Sequence, residues 1–164
     1  MSSQKRGNRI STLSARGLYI ALVVSKYNES ITKRLLNGAQ ACLERHGAIL
    51  SQVPVIPCPG AFELPQVASF LVSRHRWDAI VCLGAVIRGE TPHFDLVAAE
   101  AARGIQTVAL NSGMPVVFGV LTTNNLNQAR ERSGGKHGNK GWEAALTGIE
   151  MGLLFRRLRQ SRKK

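Results

Sequence analysis

Nine consecutive residues, AIVCLGAVI at 79–87, carry no charge and no strong hydrogen-bonding side chain. The run is less than half the roughly 20 residues a helix needs to cross a bilayer. Its β-branched content and length suit a strand. A strand that is apolar at successive positions presents apolar side chains on both faces, so both faces must be covered. That condition is met in parallel sheets, whose crossover helices lie on either side. The run ends abruptly at RGETPHFD (88–95), where arginine, glutamate, threonine, histidine and aspartate crowd together.

The rest of the chain repeats the alternation that such a sheet requires. GLYIALVV (17–24) reads as a buried strand. NESITKRLLNGAQACLERHG (28–47) has apolar residues at Ile31, Leu35, Ala39, Cys42 and Leu43, a helical period. Asn28 suits its N-cap and Gly47 its stop. AILSQVPVIP (48–57) reads as a strand, placed at a sheet edge by Pro54. AFELPQVASFLVSRH (61–75) reads as a helix with Pro65 near its first turn. WDAIVCLGAVI (77–87) is the central strand, and PHFDLVAAEAARGI (92–105) a helix. PVVFGVLT (115–122) is a fourth strand and NLNQARERS (125–133) a short helix. NKGWEAALTGIEMGLLFRRLRQ (139–160) is a long helix with the stripe Trp142, Leu146, Ile149 and Leu153. The expected fold is an α/β three-layer sandwich, flavodoxin-like, with a four-stranded parallel sheet. Ligands in such folds sit beyond the carboxyl ends of the strands.

A chain of 164 residues fits one domain. The division expected is a basic arm over 1–16, a domain over 17–155 and a basic tail over 156–164. The net charge of +12 favours anionic ligands. Much of that charge lies in the two ends, and such runs are usually solvated. Aromatic residues are scarce and no nucleic-acid fold motif is present, so nucleic-acid binding is not expected. Cys42, Cys58 and Cys82 are odd in number and lie at no zinc-ligand spacing, which points to reduced core thiols. The N-terminal segment has no apolar signal core, and a cytoplasmic protein without membrane contact is expected.

The strand-to-helix junctions are therefore where chemistry is expected. At 88–95, Thr91 suits an N-cap, Pro92 the first helical position, and His93 the first turn. A histidine there can take a proton in one step and return it in another. The free amides of the turn, with Arg88 nearby, suit an anion. The same residues also read as a plain helix cap with a locally bonded histidine. GAFELP (60–65) places Glu63 and Phe62 at a helix start, a position where glutamate is ordinary dipole matching. Tyr27, in KYN, can stack on a flat ring or simply pack. GGKHGNKG (134–141) lacks the spacing of a nucleotide-binding loop and reads as a glycine-rich hinge bearing Lys136 and Lys140.

Taken together, KYN, GAFELP, LGAVIRGETPHFD, PVVFGVLTTNN, QARERSG and GNKGWEAA occur in an order and spacing that closely resemble the lumazine synthase family. The resemblance spans about Tyr19 to Leu154. It implies condensation of 5-amino-6-ribitylaminouracil with 3,4-dihydroxy-2-butanone 4-phosphate, through an imine and loss of phosphate, in the penultimate step of riboflavin biosynthesis. It implies no metal and no organic cofactor. By similarity, His93 matches the proton-transfer histidine. Tyr27, Ala61, Phe62, Glu63, Ala85, Val86 and Ile87 match positions that hold the pyrimidine and its ribityl chain. Glu90, Thr91 and Arg132 match positions on the butanone phosphate. Phe118, Arg132 and Lys140 are expected to arrive from a neighbouring subunit, which implies self-association into pentamers. The uninterrupted GGKHGNKG segment is similar to that of members forming icosahedral shells. Tyr27 stands where phenylalanine is usual, Lys26 where arginine is frequent, and Asn124 where an acid is common.

Overall fold

The computed structural model describes residues 13–74 and 76–162. Most of the expected N-terminal arm, His75 and the last two residues of the expected tail lie outside them. Four strands form one parallel sheet: β1 (Ile20–Ser25), β2 (Val55–Cys58), β3 (Ala79–Ile87) and β4 (Val116–Thr123). Their order is β2-β1-β3-β4, so β3 is interior and β2 and β4 are the edges. The helices are α1 (Glu29–Arg45), α2 (Leu64–Val72), α3 (His93–Ser112), α4 (Leu126–Glu131) and α5 (Lys140–Ser161). Side-chain alternation divides the core in two. Ile20, Leu22, Val81 and Leu83 pack toward α1 and α5, while Ala21, Val23, Ile80 and Cys82 pack toward α2 and α3. All but the last residue of β3 are buried, as an apolar run without alternation requires.

Several boundaries differ from the sequence reading. The strand expected over 48–57 is confined to Val55–Cys58, and a single 3-10 turn occupies Leu50–Gln52. α2 begins at Leu64, immediately before Pro65, after a 3-10 turn over Ala61–Glu63. α3 runs to Ser112 because Gly104 does not stop it. A Cβ at 104 would lie 2.6 Å from Pro65 Cγ, so this glycine lets α3 lie close against α2. Gly113, with φ 65°, supplies the left-handed stop. The segment read as a hinge is an antiparallel ribbon of β5 (Ser133–Gly135) and β6 (Gly138–Asn139).

Two tertiary anchors fix the ends of α5. At its start, Asn139 Oδ1 accepts from Gly141 N (2.8 Å) and Trp142 N (3.2 Å), and Asn139 Nδ2 donates to Arg34 O (3.0 Å). A Cβ at Gly141 would run into the carbonyl group of Leu35, so α1 and α5 touch backbone to backbone. Near the other end, Arg156 was grouped with the solvated tail on sequence grounds. Its Nε donates to Asp78 Oδ1 and its Nη2 to Asp78 Oδ2, both at 2.7 Å, and Nη2 also reaches Gly17 O. The bonds from Arg156 to Asp78 raise the guanidinium's pKa further. The nearly buried Asp78 carboxylate takes a third donor, Tyr19 N, at 2.7 Å.

Candidate active site

The polar chemistry falls into two clusters. The first surrounds the carboxyl ends of β1, β2 and β3. Tyr27 follows β1 and is 75% exposed, with its amide donating to Pro59 O at 3.0 Å. Ala61, Phe62 and Glu63 make the 3-10 turn after β2, Ala61 buried and Phe62 outward. A Cβ at Gly60 would lie 3.0 Å from Glu63 Oε2, so the Glu63 carboxylate lies close over the Gly60 backbone. Ala85, Val86 and Ile87 are the last residues of β3. Glu90 and Thr91 lie in the loop that follows, and His93 opens α3, exposed and without a hydrogen-bond partner among the described residues.

Three expectations about these junctions change. Thr91 does not cap α3: Pro92 occupies the cap position and no side chain bonds there. Asn28 is in the cap position of α1 but does not cap it. Its backbone is left-handed (φ 60°), and its Nδ2 donates to Ala85 O at 2.9 Å. The asparagine thus stitches the β1 junction to the end of β3. Arg88, read as available to an anion, has partners within the chain. Its Nε donates to Asn124 Oδ1 at 3.1 Å, its Nη1 stands 3.5 Å from Asp95 Oδ1, and its guanidinium lies 4.4 Å from the centre of the Phe94 ring. Asn124, at a position where the resemblance suggests an acid, is therefore the acceptor that ties the β3 junction to β4.

Beneath the cluster, Ser25 ends β1 with a buried hydroxyl that has no partner among the described residues. The sequence offered no signal for it, since a serine after an apolar strand is unremarkable. The thiols are not nucleophiles at neutral pH. Burial pushes Cys42 up to about 11 and does the same for Cys58, where the Glu63 charge adds and Lys26 opposes. Burial raises Cys82 further still. No group of three or more His, Cys, Asp or Glu side chains among the described residues could hold a metal ion.

The second cluster lies beside β4. A groove of about 610 Å³ is lined by Phe118, Glu131, Arg132, His137, Lys140 and Glu143, with residues 120–123 and Gln128. Arg132 caps the C-terminal end of α4, and its carbonyl accepts from Lys140 N at 2.9 Å, so ribbon and helix hold the two cations on one wall. Arg130, two residues earlier, does not line the groove. The sequence reading named Phe118, Arg132 and Lys140, but not Glu131, His137 or Glu143, whose relevance depends on the ribbon that the hinge reading missed.

None of the first cluster lines this groove. Phe118 pairs with Cys82, whereas Thr123 pairs with Ile87 at the strand ends. Phe118 therefore lies about 16 Å back along the sheet from the level of Ile87, at roughly 3.3 Å per residue. Within one chain, Phe118 lies well back from the strand-end cluster, while the groove reaches forward to Thr122 and Thr123, the strand partners of Val86 and Ile87.

Comparison with known proteins bears on both halves. The profile of the 6,7-dimethyl-8-ribityllumazine synthase family matches residues 17–156. A 6,7-dimethyl-8-ribityllumazine synthase of Chlorobium phaeobacteroides is 55% identical over 145 residues, covering 88% of this chain and 94% of the relative. The enzymes of that name from Chlorobium chlorochromatii and Chlorobaculum tepidum are 52% and 53% identical over 147 residues, covering 90% of this chain and 95% of each relative.

Proposed function

The chain belongs to the 6,7-dimethyl-8-ribityllumazine synthase family, and from that premise we propose how its two clusters share one reaction. The enzyme condenses 5-amino-6-(D-ribitylamino)uracil with 3,4-dihydroxy-2-butanone 4-phosphate. The products are 6,7-dimethyl-8-ribityllumazine, phosphate and water, and the step is the penultimate one of riboflavin biosynthesis. Each active site combines the strand-end cluster of one subunit with the β4 groove of the next. The observation that carries this reading is that Phe118, Arg132 and Lys140 line one groove and that none of Tyr27, Glu63, Glu90, Thr91 and His93 of the same chain lines it.

The roles follow from the chemistry. Tyr27 and Phe62 offer exposed aromatic faces to a flat pyrimidine, and the end of β3 at Ala85, Val86 and Ile87 gives it a rigid floor. Glu63 accepts hydrogen bonds from the ribityl hydroxyls. Glu90 and Thr91 hold the butanone phosphate from one side, and Arg132 of the neighbour meets the phosphoryl oxygens with a planar fork. Lys140 and Phe118 close that side. His93 moves protons as the amine attacks the butanone carbonyl, water is lost and the enol rearranges. Holding two reactive partners in register contributes more than any single proton transfer. No metal or organic cofactor takes part.

Shared sites require self-association. β4 is a sheet edge, and beside it an apolar groove of about 480 Å³ runs between α3 and α5, lined by Ile105, Ala109, Leu110, Val116, Phe118 and Phe155 among others. It adjoins the polar groove through Phe118, Lys140 and Glu143. A neighbouring copy covers this face in a head-to-tail contact that closes as a pentamer, and the resemblance of GGKHGNKG extends the assembly to an icosahedral shell of pentamers. No helix among the described residues is long and apolar enough to cross a membrane. Unbridged buried thiols suit the cytoplasm as the compartment.

Mixing two defective subunits tests the shared site. His93→Ala damages the strand-end half and Arg132→Ala the groove half. Co-assembled in equal amounts, about a quarter of the sites join two intact halves across a head-to-tail interface. Activity well above the sum of the two separate variants is expected. Activity equal to that sum places both halves in one chain.

A further inference from the structure

We propose that His137 is the acid that protonates the phosphate group as it leaves. The proposal rests on the reading that the Arg132–Lys140 groove receives the phosphate ester, and adds to it a donor for the elimination step. His137 lines that groove together with Arg132 and Lys140. Its imidazole is half exposed, with Nε2 3.5 Å from Glu131 Oε2. The carboxylate stands beside Nε2, and Nδ1 has no hydrogen-bond partner among the described residues.

The backbone holds the residue in place. His137 N donates to Glu131 O at 2.9 Å, and Gly138 turns the chain at φ 81°. A Cβ at Gly135 would lie 2.8 Å from both Arg130 O and Glu131 Cα, so the ribbon is pressed against the end of α4. From the other side, Arg34 Nε donates to Ser133 O at 3.1 Å. The charged groups that line the groove with the imidazole are Glu131 and Arg132 at the end of α4, and Lys140 and Glu143 at the start of α5, where Lys140 Nζ stands 3.6 Å from Glu143 Oε2; Lys136 precedes His137 in the ribbon turn.

The chemistry calls for a donor here. Near neutral pH a phosphate monoester carries between one and two negative charges. Elimination breaks the bond between carbon and the ester oxygen, and the electron pair stays on that oxygen. From the dianion, an unassisted departure would release a trianion. Transfer of the Nδ1 proton of the His137 imidazolium to the ester oxygen releases hydrogen phosphate and leaves a neutral imidazole. His93 of the neighbouring subunit takes the proton from the adjacent carbon, the C–H electron pair becomes the new carbon–carbon double bond, and solvent reprotonates the His137 ring. Arg132 cannot serve, because a guanidinium keeps its proton throughout. His93 of the neighbouring subunit serves the carbon-bound protons in the reaction proposed above, and within one chain it does not line this groove.

The test is phosphate release in a single turnover of the assembled enzyme with both substrates, for the parent, His137→Gln, His137→Ala and Arg132→Ala. With His137 replaced, release is expected to slow by about a hundredfold, the low end for general acid catalysis, and to lose its fall-off at high pH. Inorganic phosphate should compete with the butanone substrate as well as in the parent, and added imidazole should restore release in His137→Ala. Unchanged release and pH profile in both variants overturn the proposal, as does loss of phosphate competition in step with the slowing, which makes His137 a binding group only. Arg132→Ala separates the two claims. If phosphate competition survives there, the reading of the groove is wrong. If it disappears while His137→Gln releases phosphate normally, the groove stands and His137 falls.

Discussion

The strand-end cluster and the β4 groove place polar groups by different means. In the first, residues hang from the ends of three strands, two of them buried, whose register is fixed by the sheet, and the loop after β3 bears little packing. A Cβ at Gly89 would meet nothing within 4 Å. In the second, the carrier is a two-stranded ribbon with no core of its own, clamped between α1, α4 and α5. One half thus borrows its precision from the core, and the other depends on close backbone contacts between elements far apart in sequence. A site divided in this way is vulnerable to different substitutions in its two halves.

The sharpest way to break the comparison is to add one methyl group to each half. Gly141→Ala puts a Cβ against the Leu35 carbonyl, where no side chain can yield. It should destabilise the fold by about 3 kcal/mol or more, at the upper end for overpacking. Gly89→Ala should stay within about 0.5 kcal/mol. Denaturant midpoints decide, and equal losses in the two variants would remove the distinction.

Next in size is His93→Ala. It should fold and assemble as the parent does and lose turnover by about a hundredfold, the low end for general acid–base catalysis. Misfolding, or full turnover, would remove His93 from the chemistry.

Arg132→Ala follows. A hydrogen-bonded charge contributes about 1.5–3 kcal/mol, so the KM for the butanone phosphate should rise roughly ten- to a hundredfold, with that for the pyrimidine nearly unchanged. Arg130→Ala should do neither, since Arg130 does not line the groove. The reverse pattern in steady-state kinetics would transfer the role to Arg130.

Asn28→Gly is the mildest. Glycine tolerates the left-handed backbone, so the variant isolates the bond to Ala85 O. A loss of about 1 kcal/mol is expected in thermal unfolding. No change would mean that the β1 and β3 junctions do not depend on each other.

What could be read in the residues differs in the same way between the halves. The β3 run, the edge position of β2 and the helical periods of α1 and α5 follow from local pattern, because burial on two faces or on one stripe imposes a period on the chain. The strand-end residues were found for that reason: His93, Glu63 and Tyr27 stand where apolar runs stop. Asn28 stands at the cap position as read, but its side chain bonds Ala85 O, and Pro92 takes the cap position read for Thr91, because such partners depend on how neighbouring junctions meet. The helix read over 92–105 runs on to Ser112, and Gly104 within it is a contact with Pro65, a role that nothing local in the sequence marks. Arg88 looked available until Asn124, Asp95 and Phe94 surrounded it.

By itself the sequence determined a parallel sheet covered on both faces, the places where polar groups emerge from it, and a family resemblance strong enough to name the reaction. Only the tertiary structure decided that GGKHGNKG is a ribbon, that Glu131 and His137 share a groove with Arg132 and Lys140, and that none of the strand-end cluster lines it. The physical reason is range: periodicity records which side of an element is buried, a property of neighbours along the chain. The ribbon is set by contacts of Asn139 with Arg34 and of Gly141 with Leu35, made across about a hundred residues and visible only when α1 and α5 meet.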